Sequence, residues 1–315
     1  MAEGEQAEIS IAAPGQLAWI FGSSRSGSTW LLRMLSQLHR VVPIDDPHIG
    51  HHLGVWRPIP LAWATAKDPP KLGTLADYKR QKRDYLFSDR YRDAWMPQLR
   101  DLISARFEAQ AAEDISEQGI EDPIVVVKEP GSHAADTIMD LFPESALIFL
   151  LRDGRDVVDS WLDAYRDGTW ATGEGAYPLD DETGRTPLIR WQSSVWLHRT
   201  HVVQETYNRT DPDRRVLIRY EELRRDPVAT MAQICGTLGI EAGEDELAAI
   251  AKANEFSRVP EAKKGRGREI RRATPGGWAE HMSRDEIVAM HEILAEKLDE
   301  LGYLLPGDIP APRAA

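Results

Sequence analysis

The feature that most constrains the fold is a set of four short apolar runs, three of which lead directly into segments with helical periodicity. Continuous apolar runs of this length are typical of strands that are buried on both faces of a sheet. The four runs are Leu17–Phe21, Ile124–Lys128, Ala146–Leu151 and Val216–Arg219. The helical patterns begin near Ser28, near Val157 and near Pro227. This alternation predicts an α/β fold in which a central parallel β-sheet is flanked by helices.

The length of 315 residues suits one domain of this kind. The polar residues 1–15 and the proline-rich residues 306–315 are expected to be flexible tails, which leaves 16–305 as a single domain. A Ser-x-x-Glu capping box at Ser283 and Glu286, followed by apolar residues at helical spacing, predicts the last helix.

Three internal stretches depart from the simple alternation of strands and helices. Pro43–Pro70 is rich in Pro, Trp and His and is predicted to be irregular. Asp77–Glu113 has the pattern of one or two long charged helices. Arg166–Pro187 contains Gly, Asp and Thr without a period and is expected to be a loop or lid. None of the three shows a composition break that requires a second domain.

The formal net charge of −13 argues against a general affinity for polyanions. A field of that sign repels nucleic acid and anionic membranes, so neither is an expected partner, and an anionic ligand requires a locally basic pocket. No apolar run approaches the ~18 residues of a membrane span, and the sequence shows no secretory signal pattern, so we expect a cytoplasmic protein. The only cysteine, Cys235, lies in an apolar helical pattern and is interpreted as a packing residue.

The strongest local signal lies between the first strand and the first helix. Gly22–Thr29 nearly matches a phosphate-binding loop, in which glycines allow tight turns and backbone N–H groups converge on an anion. Ser28 stands where the lysine of a nucleoside-triphosphate loop belongs, and the cation is inside the loop, at Arg25. The pattern predicts a P-loop-like nucleotide-binding fold, with a Ser/Gly helix cap that binds no ligand as the alternative.

This loop resembles the 5′-phosphosulfate loop of sulfotransferases that use 3′-phosphoadenosine 5′-phosphosulfate (PAPS). The family pattern is Pro-(Lys/Arg)-Ser-Gly-(Thr/Ser)-(Thr/Ser), and here a serine replaces the proline. The resemblance implies that the 5′ end of the donor is bound by Ser24, Arg25, Ser26, Gly27, Ser28 and Thr29.

A second anchor follows the run Ala146–Leu151. Arg152 stands at the carboxyl end of this predicted strand, where open parallel sheets bind their ligands. Asp153 and Asp156 suit a helix start, which places Ser160 in the second turn, so that Arg152 and Ser160 could hold one phosphate. A solvated helix start is the alternative. In the family that the loop resembles, an Arg and a Ser eight residues later bind the 3′-phosphate of PAPS, which implies this role for Arg152 and Ser160.

A third anchor is predicted in a basic stretch near the C-terminus. A basic segment that contains glycine can fold over a polyanion, although a nucleic-acid or localisation patch and a solvated loop are alternatives. The run from Arg271 to Trp278 resembles the family motif Arg-Lys-Gly-x-x-Gly-Asp-Trp, with Ala273 in place of a glycine and Gly277 in place of the aspartate. The resemblance implies a 3′-phosphate clamp formed by Arg271, Arg272 and Ala273.

A fourth similarity concerns Tyr220. The segment Arg219-Tyr220-Glu221-Glu222-Leu223 resembles a strand-end segment of the family, Tyr-Glu-(Asp/Glu)-Leu, whose tyrosine lies beside the nucleotide. Core packing with a satisfied hydroxyl is the alternative for Tyr220. The matched segments follow the family order along the chain from residue 17 to residue 278.

The general base that removes the acceptor's proton has three candidates. Cytosolic members of the family carry a histidine two residues after a lysine; here Lys128 is retained, a proline stands at the position of the histidine, and Glu129 is a candidate substitute. Other branches place a glutamate after the first helix, and Asp46 matches that position best by its spacing from Arg25. The expected order is Asp46, then Glu129, then His48, while turn chemistry before a proline is the alternative for Asp46.

The resemblance implies an enzyme that transfers a sulfuryl group from PAPS to a hydroxyl group and releases 3′-phosphoadenosine 5′-phosphate (PAP). The acceptor is expected to be a small molecule or a carbohydrate. Its site should be shaped by the three stretches that depart from the alternation of strands and helices. The sequence contains no metal-binding motif. A P-loop kinase of small molecules and a non-catalytic nucleotide- or polyanion-binding protein are the alternatives. The oligomeric state is left open, with a homo-oligomer among the options.

Overall fold

The computed structural model describes residues 10–11, 13–53, 78, 80–166, 168–169, 185–265 and 275–304. Five parallel strands form one sheet in the order β2-β3-β1-β4-β5. Their bounds are Leu17–Phe21 (β1), Val41–Asp45 (β2), Ile124–Lys128 (β3), Ala146–Leu151 (β4) and Arg215–Arg219 (β5). The predicted α/β fold with a central parallel sheet is therefore confirmed, and all four predicted strands are present.

The helices of the described residues cover both faces of the sheet. Their bounds are Ser28–Leu35 (α1), Ile49–Leu53 (α2), Arg92–Gln118 (α3), Ala135–Leu141 (α4), Gly154–Ala164 (α5), Arg185–Arg209 (α6), Tyr220–Arg225 (α7), Pro227–Leu238 (α8), Glu244–Ala253 (α9), Trp278–His281 (α10) and Arg284–Glu300 (α11). The helices predicted near Ser28, Val157 and Pro227 are α1, α5 and α8. The capping box of Ser283 and Glu286 is present at the start of α11.

Strand β2 was not predicted, because its sequence Val-Val-Pro-Ile-Asp contains a proline and falls partly in the stretch expected to be irregular. β2 is an edge strand, and an edge tolerates Pro43 because its missing N–H does not break an inner ladder. The prediction for Pro43–Pro70 is therefore wrong at its start, where Pro43–Asp45 is strand and Ile49–Leu53 is helix. Residues 54–70 lie outside the described residues.

The other two stretches are described in part. Of Asp77–Glu113, residues 92–113 belong to the long helix α3, and Asp89–Tyr91 forms a 3₁₀ turn before it. Of Arg166–Pro187, the last three residues already belong to α6, and most of the remainder lies outside the described residues.

The core has two layers, one on each face of the sheet, which explains the continuous apolar runs. Leu17, Trp19 and Phe21 of β1 pack in the layer formed with α3, α4, α5, α6 and α11. Ala18 and Ile20 point to the opposite face and pack with α1, α8 and α9. Successive side chains of a strand alternate between faces, so a strand covered on both sides must be apolar at every position.

Two residues illustrate how far the core extends. Ile11, in the segment expected to be a tail, is buried in the first layer, and its backbone N–H donates to Glu108 Oε1 at 3.2 Å. Cys235 is buried in the second layer, and burial raises the pKa of its thiol to about 11. The interpretation of Cys235 as a packing residue is confirmed.

A close backbone contact joins α2 to the turn after β3. A Cβ atom added to Gly50 would lie 2.0 Å from the carbonyl oxygen of Gly131, and one added to Gly131 would lie 2.6 Å from Gly50 Cα. Both positions therefore require glycine, and the contact fixes α2 beside the carboxyl end of β3.

We expect Gly50→Ala to lower the melting temperature, because the added methyl group meets backbone atoms that cannot move independently. Overpacking of this kind costs about 1–3 kcal/mol. Gly236→Ala is the matched control, since Gly236 is an exposed residue of α8 with open space around its Cβ position. Alanine at that helical position is neutral or stabilises by roughly 1 kcal/mol. Thermal denaturation measures both variants, and an unchanged melting temperature for Gly50→Ala would contradict the contact.

Candidate active site

The phosphate loop passes through a narrow space at the carboxyl ends of β1 and β4. A Cβ atom on Gly22 would lie 2.2 Å from the carbonyl oxygen of Leu150 in β4. Gly27, with φ 89°, is the N-cap of α1, and a Cβ atom there would lie 2.6 Å from the ring of Tyr220. Packing requires glycine at both positions, and the positive φ of Gly27 requires it there by conformation as well.

Arg25 connects the loop to the second predicted anchor. Its Nε atom donates to Ser160 Oγ at 3.0 Å, and its carbonyl oxygen accepts from Arg152 Nη1 at 2.7 Å. Arg25 has φ 75°, a left-handed conformation that costs a non-glycine residue about 1–3 kcal/mol. The fold thus brings together three residues, Arg25, Arg152 and Ser160, that lie far apart in the sequence.

Arg152 is held by stacking as well as by hydrogen bonding. Its guanidinium carbon lies 4.4 Å from the centroid of the Tyr220 ring, whose edge contacts Trp30 at 6.4 Å between centroids. Tyr220 is buried, which raises the pKa of its hydroxyl group. Tyr220 therefore packs in the interior, the alternative considered from sequence, and its ring also lies under Arg152. Stacking of a guanidinium on an aromatic ring restricts its orientation.

Two serine hydroxyl groups of the loop are buried without a hydrogen-bond partner among the described residues: Ser23 Oγ and Ser26 Oγ. A buried hydroxyl without a partner costs about 1–3 kcal/mol, and an anionic oxygen brought to the loop would offset this cost. Together with the cations at Arg25 and Arg152, these donors suit a phosphate or sulfate group.

The start of α5 is fixed by two aspartates. Asp153 caps the helix and accepts from Arg155 N at 2.9 Å. Asp156 accepts from the backbone N–H of Gly276 at 2.9 Å, and burial raises its pKa to about 6 although Arg152 opposes this. Gly276 belongs to the run Arg271–Trp278 that resembles the family motif, so the described end of this run contacts α5. Arg271, Arg272 and Ala273 lie outside the described residues.

Lys128, at the end of β3, connects the loop with the first candidate base. Its Nζ atom lies 2.7 Å from Asp46 Oδ2 and 2.6 Å from Asp45 Oδ1, and it donates to Thr29 Oγ1 at 3.1 Å. Asp46 has φ 51°, so it too is in the left-handed region. The β2–β3 register, in which Asp45 is paired with Lys128, places these charges side by side.

The other two candidate bases are placed differently. Glu129 is 1% exposed, and its two carboxyl oxygens accept from Gly131 N at 2.6 Å and from Ile49 N at 2.9 Å. Burial raises the pKa of Glu129 to about 7, although these hydrogen bonds act to lower it. Through the same two hydrogen bonds, the carboxyl group connects the start of α2 to the turn after β3. His48 is exposed, with its Nδ1 3.3 Å from His51 Nδ1.

One residue of this region was missed by the sequence analysis. Arg199 of α6 is buried, and its Nη1 atom donates to Ser24 Oγ at 2.9 Å. A single arginine within a long helix carries no sequence signal for such a contact. The only hint is Ser24 itself, which stands where the family pattern has proline.

Three histidines surround this arginine. Burial, followed by the charge of Arg199, lowers the pKa of His51 and His198 to about 4 and lowers that of His133 as well. The imidazole groups beside Arg199 are therefore neutral at neutral pH.

A cavity of about 670 Å³ lies beside α5. Its lining includes two ion pairs, Arg166 with Asp163 and Lys264 with Glu261 at 2.6 Å, and His281 Nδ1 lies 3.0 Å from Asp159 Oδ2. Arg166 and Arg185, which both lie within the stretch Arg166–Pro187 expected to be a loop or lid, line the same cavity. Among the described residues, no group of three or more His, Cys, Asp or Glu side chains is arranged to hold a metal ion. None of the described helices has the length and hydropathy of a membrane-spanning segment.

Residues 18–245 match the model of a protein family described as the sulfotransferase family. A search of curated proteins found no significant match. Among solved structures, mouse sulfotransferase SULT7A1 complexed with PAP is similar with a TM-score of 0.55 and 13% identity, covering 92% of this chain and 88% of the other. Sulfotransferase STF9 from Mycobacterium avium has a TM-score of 0.52 and 18% identity, with coverages of 94% and 80%. Retinol dehydratase in complex with androsterone and inactive cofactor PAP has a TM-score of 0.50 and 14% identity, with coverages of 94% and 84%.

The lowered histidine pKa values predict acid sensitivity. Below pH 6.5 the unfolded chain binds protons at these histidines that the folded protein does not, so their contribution to stability is complete above pH 6.5 and is lost as the pH falls towards 4. We expect His198→Gln to lose less stability than the wild type between pH 7 and pH 4.5, since one of these groups is removed.

Melting temperatures of the two proteins across this pH range measure the effect, and the opposite contribution of Glu129 cancels in the difference. His39→Gln is the control, because His39 is exposed and lies outside the cluster. Parallel pH curves for the wild type and His198→Gln would show that His198 titrates alike in the folded and unfolded states.

Proposed function

The chain belongs to the sulfotransferase family, and we propose that it transfers a sulfuryl group from PAPS to a hydroxyl group of a small-molecule or carbohydrate acceptor, releasing PAP. The observation that carries the choice of donor is the meeting of Arg25, Arg152 and Ser160 at the carboxyl ends of β1 and β4. A nucleotide with phosphate groups on both sides of its ribose requires two anion sites at a short distance. The phosphate loop and the start of α5 supply two such sites in contact with each other.

In this proposal the loop holds the 5′ end of the donor and α5 holds its 3′-phosphate. Ser26, Ser28 and Thr29 offer hydroxyl groups, and the backbone N–H groups around Gly27 offer further donors at the start of α1. Arg152 and Ser160 contact the 3′-phosphate, with Tyr220 beside the nucleotide. Arg271, Arg272 and Ala273 are proposed to close over that phosphate on the basis of the family motif.

The reaction forms a bond between the acceptor oxygen and sulfur and breaks the bond between sulfur and the bridging oxygen of the 5′-phosphate. Negative charge grows on that bridging oxygen, and the guanidinium of Arg25 with the loop N–H groups stabilises it. Lys128 donates to Thr29 at the end of the loop, and its charge is balanced by the carboxylates of Asp45 and Asp46. The proton of the acceptor hydroxyl group passes to a general base, which leaves a sulfate ester and PAP.

Asp46 remains the proposed base. Its carboxylate is 43% exposed, so an acceptor can approach it, and its ion pair with Lys128 keeps it next to Thr29. Glu129 is less suited because it is buried and both its oxygens already accept backbone hydrogen bonds. His48 lies on the exposed side next to His51.

We also propose that the cavity beside α5 forms part of the acceptor site, as its lining includes both described ends of the expected lid.

Donor specificity is tested by thermal shift with PAP, AMP and ATP–magnesium. We expect PAP to raise the melting temperature most and Arg152→Ala to weaken PAP binding by roughly 10- to 100-fold, since a hydrogen bond to a charged group contributes about 1.5–3 kcal/mol. Arg106→Ala, an exposed arginine on α3, is the control and should bind PAP like the wild type. A larger shift with ATP–magnesium than with PAP would favour the kinase.

The base is tested by a pair of neighbouring substitutions. Asp45 and Asp46 both form an ion pair with Lys128, so Asp45→Asn and Asp46→Asn each remove one such pair. We expect Asp46→Asn to lower the turnover number by about 100- to 10,000-fold, the range of general base catalysis, and Asp45→Asn to lower it by far less. Release of PAP from PAPS, measured with a panel of hydroxylated acceptors, gives the rates. Equal losses in the two variants would assign the effect to the ion pairs and exclude Asp46 as the base.

A further inference from the structure

Helix α6 contacts both halves of the proposed donor site from one side. Arg199 donates from Nη1 to Ser24 Oγ at 2.9 Å, and Trp196, one turn earlier, donates from Nε1 to the carbonyl oxygen of Arg152 at 3.2 Å. The ring of Trp196 also packs against Gly154, where an added Cβ atom would lie 2.7 Å from it. Ser24, which precedes Arg25, and Arg152, which follows β4, thus both form hydrogen bonds with α6.

The charge of Arg199 persists although the side chain is buried. Burial lowers its pKa to about 10, while the nearby Glu129 and Tyr165 oppose this change, so the guanidinium is protonated at neutral pH. The histidines next to it are neutral, which leaves Arg199 as the charged donor on the α6 side of Ser24. A hydrogen bond from a charged donor is about twice as strong as one between neutral groups.

Ser24 needs such a restraint because of its position. It directly precedes Arg25, whose left-handed φ of 75° has to be imposed by its surroundings. In the family pattern the corresponding residue is proline, whose ring fixes φ near −65°. The φ angle of serine has no such restriction, but the Oγ atom of Ser24 accepts the hydrogen bond from Arg199.

We propose that Arg199 is a positioning residue whose hydrogen bond to Ser24 fixes the phosphate loop in the conformation that aims Arg25 at the donor. The proposal rests on the proposed function, because the loop is taken to bind the 5′ end of PAPS. Arg199 acts here through Ser24 and replaces the backbone restriction that proline gives in the family pattern. Loss of the Ser24–Arg199 contact should therefore weaken binding on the 5′ side of the nucleotide more than on the 3′ side, which the loop reaches only through the contacts of Arg25 with Arg152 and Ser160.

A double-mutant cycle with Ser24→Ala and Arg199→Met tests the contact. Methionine keeps the length of a buried side chain without its charge. We expect each single variant to weaken PAP binding about 5- to 10-fold and the double variant to be no weaker than the poorer single one, because both changes break the same bond. Binding of 3′-AMP, which lacks the 5′-phosphate, should be weakened by less than the binding of PAP.

Two further variants separate positioning from folding. Ser24→Pro restores the family residue, and in that background Arg199→Met should have a smaller effect on PAP binding than in the wild type. Arg190→Met is the control on the same helix, because Arg190 forms an ion pair with Glu292 of α11, away from the loop. Isothermal titration calorimetry with PAP and with 3′-AMP gives the dissociation constants.

The outcomes are distinct. Failure of the wild type to bind PAP would overturn the proposed function and this inference with it. If the wild type binds PAP, multiplicative effects of the two single substitutions, or an equal loss of 3′-AMP and PAP binding in Arg199→Met, would overturn the inference alone. Coupled effects that are larger for PAP than for 3′-AMP would support it.

Discussion

The hydrogen bond between the Arg152 side chain and the carbonyl oxygen of Arg25 is the contact on which the proposed active site depends. It joins the chain after β4 to the chain after β1, and it exists because these two strands are parallel neighbours at the centre of the sheet. The carboxyl ends of neighbouring parallel strands lie at the same edge of the sheet. Residues that are 127 positions apart in the chain therefore come into contact there. The glycines at 22 and 27 let the loop come this close, and the backbone of Arg25 takes a strained conformation to do so.

Several positively charged side chains lie together at this edge of the sheet, although the chain as a whole is acidic. The protein carries a net charge of −13, yet Arg25, Arg152, Lys128 and Arg199 gather at the carboxyl ends of three strands and on α6. Each of these cations is held by a hydrogen bond to the phosphate loop or to α5, so the protein itself fixes their positions in the proposed site. Such preorganisation is the main way in which enzymes stabilise charge that develops during group transfer.

Some elements were predictable from sequence and others were not, for identifiable reasons. The four apolar runs could be recognised because each is covered on both faces, whereas β2 was hidden by its proline and by its place at the edge. Lys128 and Asp46 were found through motif and spacing, but their ion pair follows from the β2–β3 register, which no local pattern contains. Glu129 is a candidate base by sequence because it follows a lysine, whereas its burial and the two backbone hydrogen bonds by which it ties α2 to the turn after β3 follow only from the tertiary structure.

The sequence by itself determined the α/β class, the phosphate loop with its displaced cation, the Arg–Ser pair of the second anchor and the family that these motifs resemble. All of these depend on residues that are close together in the chain, where spacing and periodicity carry the information. Tertiary structure alone decided which side chains share a site: that Arg25 reaches Ser160, that Tyr220 lies under Arg152, and that α6 brings Arg199 to Ser24. The physical reason is that such contacts are set by strand order and helix packing, which bring together residues that the linear chain keeps far apart.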